Sequence, residues 1–139
     1  MCATVGRGLT HGVVYDFIRK IKNNPVLEAL GGYPGSTKPY CYIDDVIDAL
    51  TLLALKKDTE KYYNIVPSDL INIEQVAKAV MNGMGVEKEI VWLGDEANWS
   101  GDNNLISTLN TKLKSIGWQN KYNSKEAIVK AVQEITKEN

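Results

Sequence analysis

An α/β or α+β domain, a small mixed sheet with helices packed on it, is the fold the sequence predicts. Two observations predict it. Apolar residues recur at helical spacing in several separate stretches, and short runs rich in β-branched and aromatic residues lie between them, so helices and strands alternate. Glycine, proline and asparagine stand at the junctions. No stretch repeats at a fixed period and none is low in complexity, so residues 1–139 read as a single domain.

In order, Ala3 to Gly6 reads as the tail of a strand and Arg7-Gly8-Leu9-Thr10 as a turn. A helix follows from His11 or Gly12 to Lys22, with Val13, Val14, Phe17, Ile18 and Ile21 inward, and Asn23, Asn24 and Pro25 end it. Val26 to Leu30 is a short strand, and Gly31 to Ser36 a tight loop. Lys38 to Leu50 organises the rest. Tyr40, Tyr42 and Ile43 favour extended chain, and Asp44 or Asp45 is placed to cap a helix running to Lys57. Its apolar face is Val46, Ile47, Leu50, Leu53 and Ala54. Tyr62 to Val66 reads as a strand, and Asn72 with Gln75 as a capping box for a helix with Val76, Ala77, Val80 and Met84 inward. Gly83 and Gly85 close that helix, and Glu89 to Leu93 is a strand. Gly94 to Asn104 is polar and irregular, a surface loop, and Ile106 to Leu109 is extended. Asn110 or Thr111 caps a short helix ending at Gly117. Ser124 caps the last helix, with Ala127, Ile128, Ala131, Val132 and Ile135 inward.

Composition narrows the function classes. With 44% hydrophobic and 24% charged residues the chain is long enough for a real core. A net charge of −1 with interspersed lysines and acids argues against a nucleic-acid or anionic-membrane partner. No apolar run approaches a membrane span, and the first ten residues lack a signal peptide's apolar core. Cys2 and Cys41 make no disulfide framework and suit reduced thiols in a cytoplasm. One histidine and no Cys/His cluster leave no zinc pattern. Asn98-Trp99-Ser100 fits the glycosylation pattern by chance.

Five groups of residues, in order, resemble one family. They are Val5-Gly6-Arg7; His11-Gly12-Val13-Val14-Tyr15-Asp16-Phe17-Ile18; Lys38, Tyr40, Tyr42, Ile43, Asp45 and Ala49; Tyr63-Asn64-Ile65 with Asn72-Ile73; and Trp99 and Asp102 followed by Asn110, Lys112-Leu113, Ile116-Gly117-Trp118 and Ser124 to Ala127. The chain is thereby similar to the extended short-chain dehydrogenases/reductases, the NAD-dependent nucleotide-sugar epimerases and dehydratases, over essentially its whole length. Their cofactor loop, Gly-x-x-Gly-x-x-Gly, is absent, since Gly31-Gly32-Tyr33-Pro34-Gly35 has the wrong spacing. So is their catalytic Tyr-x-x-x-Lys; Tyr15-x-x-x-Arg19 comes nearest, and arginine does not replace that lysine. The resemblance therefore implies the C-terminal, substrate-binding lobe of a Rossmann-type NAD(P) enzyme without its cofactor-binding half.

What the resemblance implies for single residues stands beside a plainer reading of each. Lys38 matches the basic residue that reaches the diphosphate, or is a solvated lysine. Gly12 and Val13 offer helix-start N–H groups to a phosphate, or simply begin a helix. His11 lies beside them or caps, Tyr40 belongs to the matched strand, and Arg7 pairs a phosphate or a carboxylate. Leu27, Glu28 and Ala29 form a strand whose backbone meets the nucleotide base in relatives, or a plain edge strand. Trp99 stands where UDP-sugar epimerases place an arginine, and Asp102 orders its loop. Asp44 and Asp45 are better explained as a helix N-cap than as an acid–base pair. Trp118 packs against the last helix.

The expected function is to hold a nucleotide sugar as part of such an enzyme. No catalytic residue and no cofactor belong to this chain, NAD belongs to the whole enzyme, and the missing NAD-binding half is the partner. The alternative is a stand-alone, non-enzymatic ligand- or protein-binding module derived from the same lobe. The opening Met1-Cys2-Ala3, partway through a strand, leans towards a truncated frame. Apart from its other half, the lobe is expected to bare apolar surface near Val5, Val13 and Leu30 and to self-associate.

Overall fold

Strand β1 (Ala3–Val5) lies parallel to β4 (Tyr40–Tyr42), with Thr4 opposite Cys41, in a computed structural model that describes residues 2–57, 62–94 and 110–138. Strand β2 (Leu27–Ala29) lies parallel to β6 (Ile90–Trp92), with Glu28 opposite Val91. A third pair, β3 (Thr37–Lys38) with β5 (Ile71–Asn72), is antiparallel. The described strands thus form three two-stranded sheets rather than one mixed sheet. The run Tyr62 to Val66, expected as a strand, pairs with none among the described residues; its Ile65 and Val66 are nevertheless buried. Burial of apolar side chains does not require a ladder, which is why the composition of this run misleads.

Helix α1 (Val13–Asn23) buries Val14, Phe17, Ile18 and Ile21, the stripe that its spacing predicts. Helix α3 (Ile73–Met84) begins with the expected reciprocal cap: Asn72 Oδ1 accepts the Gln75 N–H at 2.9 Å, and Gln75 Oε1 accepts the Asn72 N–H at 2.8 Å. It ends on Gly85, whose φ of 69° is left-handed. Helix α5 (Ser124–Glu138) buries the five apolar residues expected of it. Helices α3 and α5 approach closely at Gly83, where an added Cβ would lie 2.8 Å from Val132 Cγ1 and 3.1 Å from Val129 O. These helices and β2 and β4 enclose the larger core.

Helix α2 (Ile43–Leu55) departs from expectation. Asp45, Val46 and Ala49 face inward, whereas Ile47 and Leu50 are 50% and 54% exposed and Leu55 is 78% exposed. Ile43 packs closely against Gly6, just past β1, where an added Cβ would fall 2.4 Å from Ile43 Cγ2, and small Ala49 meets the core. Nor do the aspartates cap α2. Its N-cap is Tyr42 with no side-chain cap bond, and the Asp45 carboxylate instead accepts the N–H groups of Lys121 and Tyr122.

Two further caps move by one role each. Asn110 precedes α4 (Thr111–Ser115) but directs its amide to Val66 O at 2.8 Å rather than capping. Asn123, not Ser124, caps α5: its Oδ1 accepts the Glu126 backbone N–H at 2.9 Å, and its side-chain amide donates to Glu126 Oε1 at 2.9 Å. Ser124 Oγ is occupied by Asp69 Oδ1 at 3.1 Å and by the Tyr40 N–H at 3.0 Å. Trp118 is buried as expected, but in the second, smaller core with Cys41, Val46, Ala49, Ile65 and Leu113, away from the last helix. Its indole N–H donates to Asp45 O at 3.0 Å. Cys2 borders the same core and donates its thiol to Ile65 O at 3.3 Å. The bare apolar surface expected near Val5 is also corrected: Val5 is buried, Val13 half-buried, and Leu30 alone of the three is exposed.

Candidate functional site

The start of α1 needs partners that its own sequence does not supply. Gly12, with φ 88° and ψ 173°, is the N-cap residue and has no side chain to satisfy the first helical N–H groups. Its left-handed φ suits glycine, and nothing stands within 4 Å of where a Cβ would be. Beside it opens a cavity of about 330 Å³ lined by Gly12, Val13, Asp16, Phe17, Lys20, Leu30, Ser36, Lys38, Tyr40 and Ile73.

Three segments build this cavity. From α1, Val13, Asp16, Phe17 and Lys20 fall at helical spacing on one face. From the segment entering β3, Ser36 and Lys38 lie two residues apart, on one side of an extended chain. Leu30, past the end of β2, and Ile73, at the start of α3, complete the apolar wall. Asp16 is already engaged, by Lys20 at 2.9 Å and Arg19 at 3.3 Å. Lys20 also donates to Glu28 O at 3.1 Å. The helix N-terminus and Lys38 leave the mouth of the cavity suited to an anion, and Phe17, Leu30 and Ile73 suit a less polar group.

Of the residues singled out from the sequence, Gly12, Val13, Lys38 and Tyr40 therefore line one cavity. Arg7 and His11 line a separate, smaller hollow of about 210 Å³ with Gly6, Gly8 and Ile43. Leu27 and Ala29 are fully buried and do not reach the cavity; their backbone serves β6, with Leu27 N–H donating to Glu89 O and Leu93 N–H to Ala29 O. Glu28 is exposed. Trp99 and Asp102 lie outside the described residues, as do the expected loop and extended run around them.

Sequence reasoning missed Ser36, Leu30, Phe17, Asp16, Lys20 and Ile73 as cavity residues. For Ser36 a signal existed, since it stands two residues before Lys38 in extended chain. Lys20 is a helical repeat on from Val13. Nothing local announces Leu30 or Ile73, because only the tertiary fold brings them in.

A wider groove of about 880 Å³ runs between α3 and β6, past Glu74, Lys78, Lys88 and Trp92, and none of the singled-out residues lines it. Two of its charges, Glu74 and Lys78, pair with each other. Lys78 meets Glu74 at 2.7 Å, which with the Tyr33 hydroxyl holds the Glu74 carboxyl below its ordinary range. Glu74 in turn raises the Tyr33 phenol. Tyr33 stands edge-on to Trp92 at 5.7 Å.

No family model matches this sequence, and no curated protein matches it. Its three-dimensional structure does have counterparts. A UDP-galactose 4-epimerase superposes with a TM-score of 0.82 at 28% identity, over 99% of this chain and 44% of that one. The Thermus thermophilus UDP-glucose 4-epimerase, solved with NAD, gives 0.78 at 28% identity over 94% and 43%. The Thermotoga maritima UDP-glucose 4-epimerase, solved with UDP-glucose, gives 0.80 at 24% identity over 99% and 44%. The small sheets and five described helices correspond to the C-terminal portion of such enzymes. The chain thus spans less than half the length of the enzymes it matches.

Proposed function

We propose, for a chain with the fold of the C-terminal portion of the extended short-chain dehydrogenases/reductases, that it binds the nucleotide sugar of an NAD-dependent epimerase or dehydratase. The observation that carries this reading is the cavity at the start of α1, where an uncapped helix N-terminus and Lys38 face a partly apolar wall. A diphosphate belongs at the helix N-terminus and the lysine, and the nucleoside belongs against Phe17, Leu30 and Ile73. In this reading the chain orients substrate and does no chemistry. It contains neither the glycine loop that would hold NAD nor the Tyr-x-x-x-Lys that would take a hydroxyl proton. When bound by a cofactor half, NAD would supply hydride acceptance at a sugar carbon. That half is the proposed partner, and the reduced thiols suit a cytoplasmic setting.

The exposed stripe of α2, Ile47, Leu50 and Leu55, favours a lobe that docks on another body over a stand-alone module. No described helix is long and apolar enough to cross a membrane.

A thermal-shift panel of UDP-, GDP- and dTDP-sugars tests the binding claim. A ligand bound to the folded chain raises its melting temperature by mass action, by an amount that grows with concentration. No shift with any of them would overturn the reading. Turnover of UDP-glucose by this chain with added NAD would overturn the claim that it does no chemistry alone.

A further inference from the structure

We propose that the Ser36 hydroxyl donates a hydrogen bond to a phosphate oxygen of the nucleotide in the α1 cavity, and so separates a nucleoside diphosphate from its bare nucleoside. The inference rests on the binding role proposed above and names an atom through which that role is exercised.

Ser36 is only 6% exposed, and its Oγ is the one buried side-chain nitrogen or oxygen among the described residues that has no hydrogen-bond partner. Burying a hydroxyl without a partner is costly, and buried polar groups otherwise find one. The other buried polar residues show the contrast: Asp45 takes two backbone N–H groups, Asn110 reaches Val66 O, and Ser124 is bonded to Asp69 and Tyr40. Ser36 is the exception, and it lines the cavity that the other observations mark as a ligand site.

The chemistry of the missing partner follows from what surrounds it. Ser36 and Lys38 share one side of the chain entering β3, and across the cavity Gly12 opens α1 without a capping side chain. The hydroxyl, the ammonium and the helix N–H groups are all donors. The carboxylate in the lining, Asp16, is held by Lys20 and Arg19. A lining rich in donors calls for an anionic acceptor, and a serine hydroxyl rotates freely to meet one. The loop before it is firmly set. Gly35 N–H donates to Gly32 O at 2.8 Å, Glu74 N–H donates to Pro34 O at 3.1 Å, and a Cβ on Gly35 would fall 2.4 Å from Ile73 Cβ. Ser36 is therefore presented by rigid backbone, which lowers the ordering cost of using it.

Calorimetric titration of the full chain and of Ser36→Ala with UDP and with uridine, together with melting of both proteins without ligand, tests this. The unliganded variant is expected to melt at the same temperature or higher, because no internal bond is lost. Its UDP dissociation constant should rise roughly tenfold or more, the loss expected for a bond to a charged acceptor. Its uridine affinity should equal that of the parent chain. Equal UDP affinity in the two proteins would overturn the proposal. So would an equal loss for uridine, which would move the contact to the nucleoside, and so would a lower melting temperature, which would give the hydroxyl a structural role. Ser36→Cys, nearly isosteric and a weak donor, must follow Ser36→Ala. The same titrations are run with GDP and dTDP and their nucleosides should UDP not bind; a parent chain that binds none of the three diphosphates would overturn the reading of the cavity itself, an outcome distinct from binding that ignores Ser36.

Discussion

The carboxylate of Asp45 accepts the backbone N–H of Lys121 from both oxygens, at 3.0 and 3.1 Å, and so fastens the start of α2 to the segment that leads into α5. The adjoining Tyr122 N–H reaches the same carboxylate at 3.2 Å, and the Trp118 indole donates to the Asp45 carbonyl. Asp45 is 1% exposed, so truncation leaves donors with little water to turn to. Asp45→Ala is expected to cost about 3 kcal/mol, and Asp45→Asn, which keeps one acceptor oxygen, about half of that. Urea unfolding of the three proteins measures both.

Gly83 sits where α3 meets α5. An alanine there gains up to about 1 kcal/mol of helix propensity, but its methyl would lie within 3 Å of the stiff side chain of Val132. Overpacking of this kind costs roughly 1–3 kcal/mol. The expected net effect of Gly83→Ala is a lower melting temperature, against the trend for helical glycines, and partial recovery in Gly83→Ala with Val132→Ala. A stabilised single variant would show that the two helices slide apart freely.

Cys2, just before β1, lies beside Cys41 of β4. The Cys41 thiol donates to the Cys2 sulfur, which lowers the Cys2 pKa below the usual thiol value, while the same bond and then burial push Cys41 up. More thiolate at a given pH means faster alkylation. Iodoacetamide at neutral pH is therefore expected to modify Cys2 first and to leave Cys41 unmodified until the chain unfolds. Mass spectrometry of partly labelled protein reads the order. In Cys41→Ala, Cys2 should lose its donor and react more slowly at the same pH.

The outer stripe of α2 should govern association. Ile47, Leu50 and Leu55 all lie exposed on this one helix, and apolar surface gathered on one element drives contact with other molecules. Light scattering is expected to show mass rising with concentration for the parent chain and little rise for Leu50→Lys. The lysine replaces a side chain already 54% exposed, so its melting temperature should change by little.

The legible parts of this fold were those whose signals are local. The stripe of α1, the Asn72–Gln75 box, the turn at Gly85 and the inward face of α5 all depend on neighbours a few residues away. The illegible parts depend on distant partners. Asp45 looks like a cap because it opens a helix, and only the arrival of Lys121 shows otherwise. Ser124 looks like a cap until Asp69 takes its hydroxyl. Tyr62 to Val66 has the composition of a strand and finds no strand to pair with among the described residues. In the cavity the same division holds: Gly12, Val13, Lys38 and Tyr40 were readable from motif, whereas Leu30 and Ile73 arrive from segments that only packing unites.

The three short ladders carry a kinetic consequence. Leu27 meets Ile90, and Ala3 meets Tyr40, across long intervening stretches of chain, roughly sixty residues in the first case. The entropy of closing such loops must be met before any rung forms. The helices should accordingly gain structure early, with the ladders zipping late, and refolding should run towards the slow end for a chain of this size.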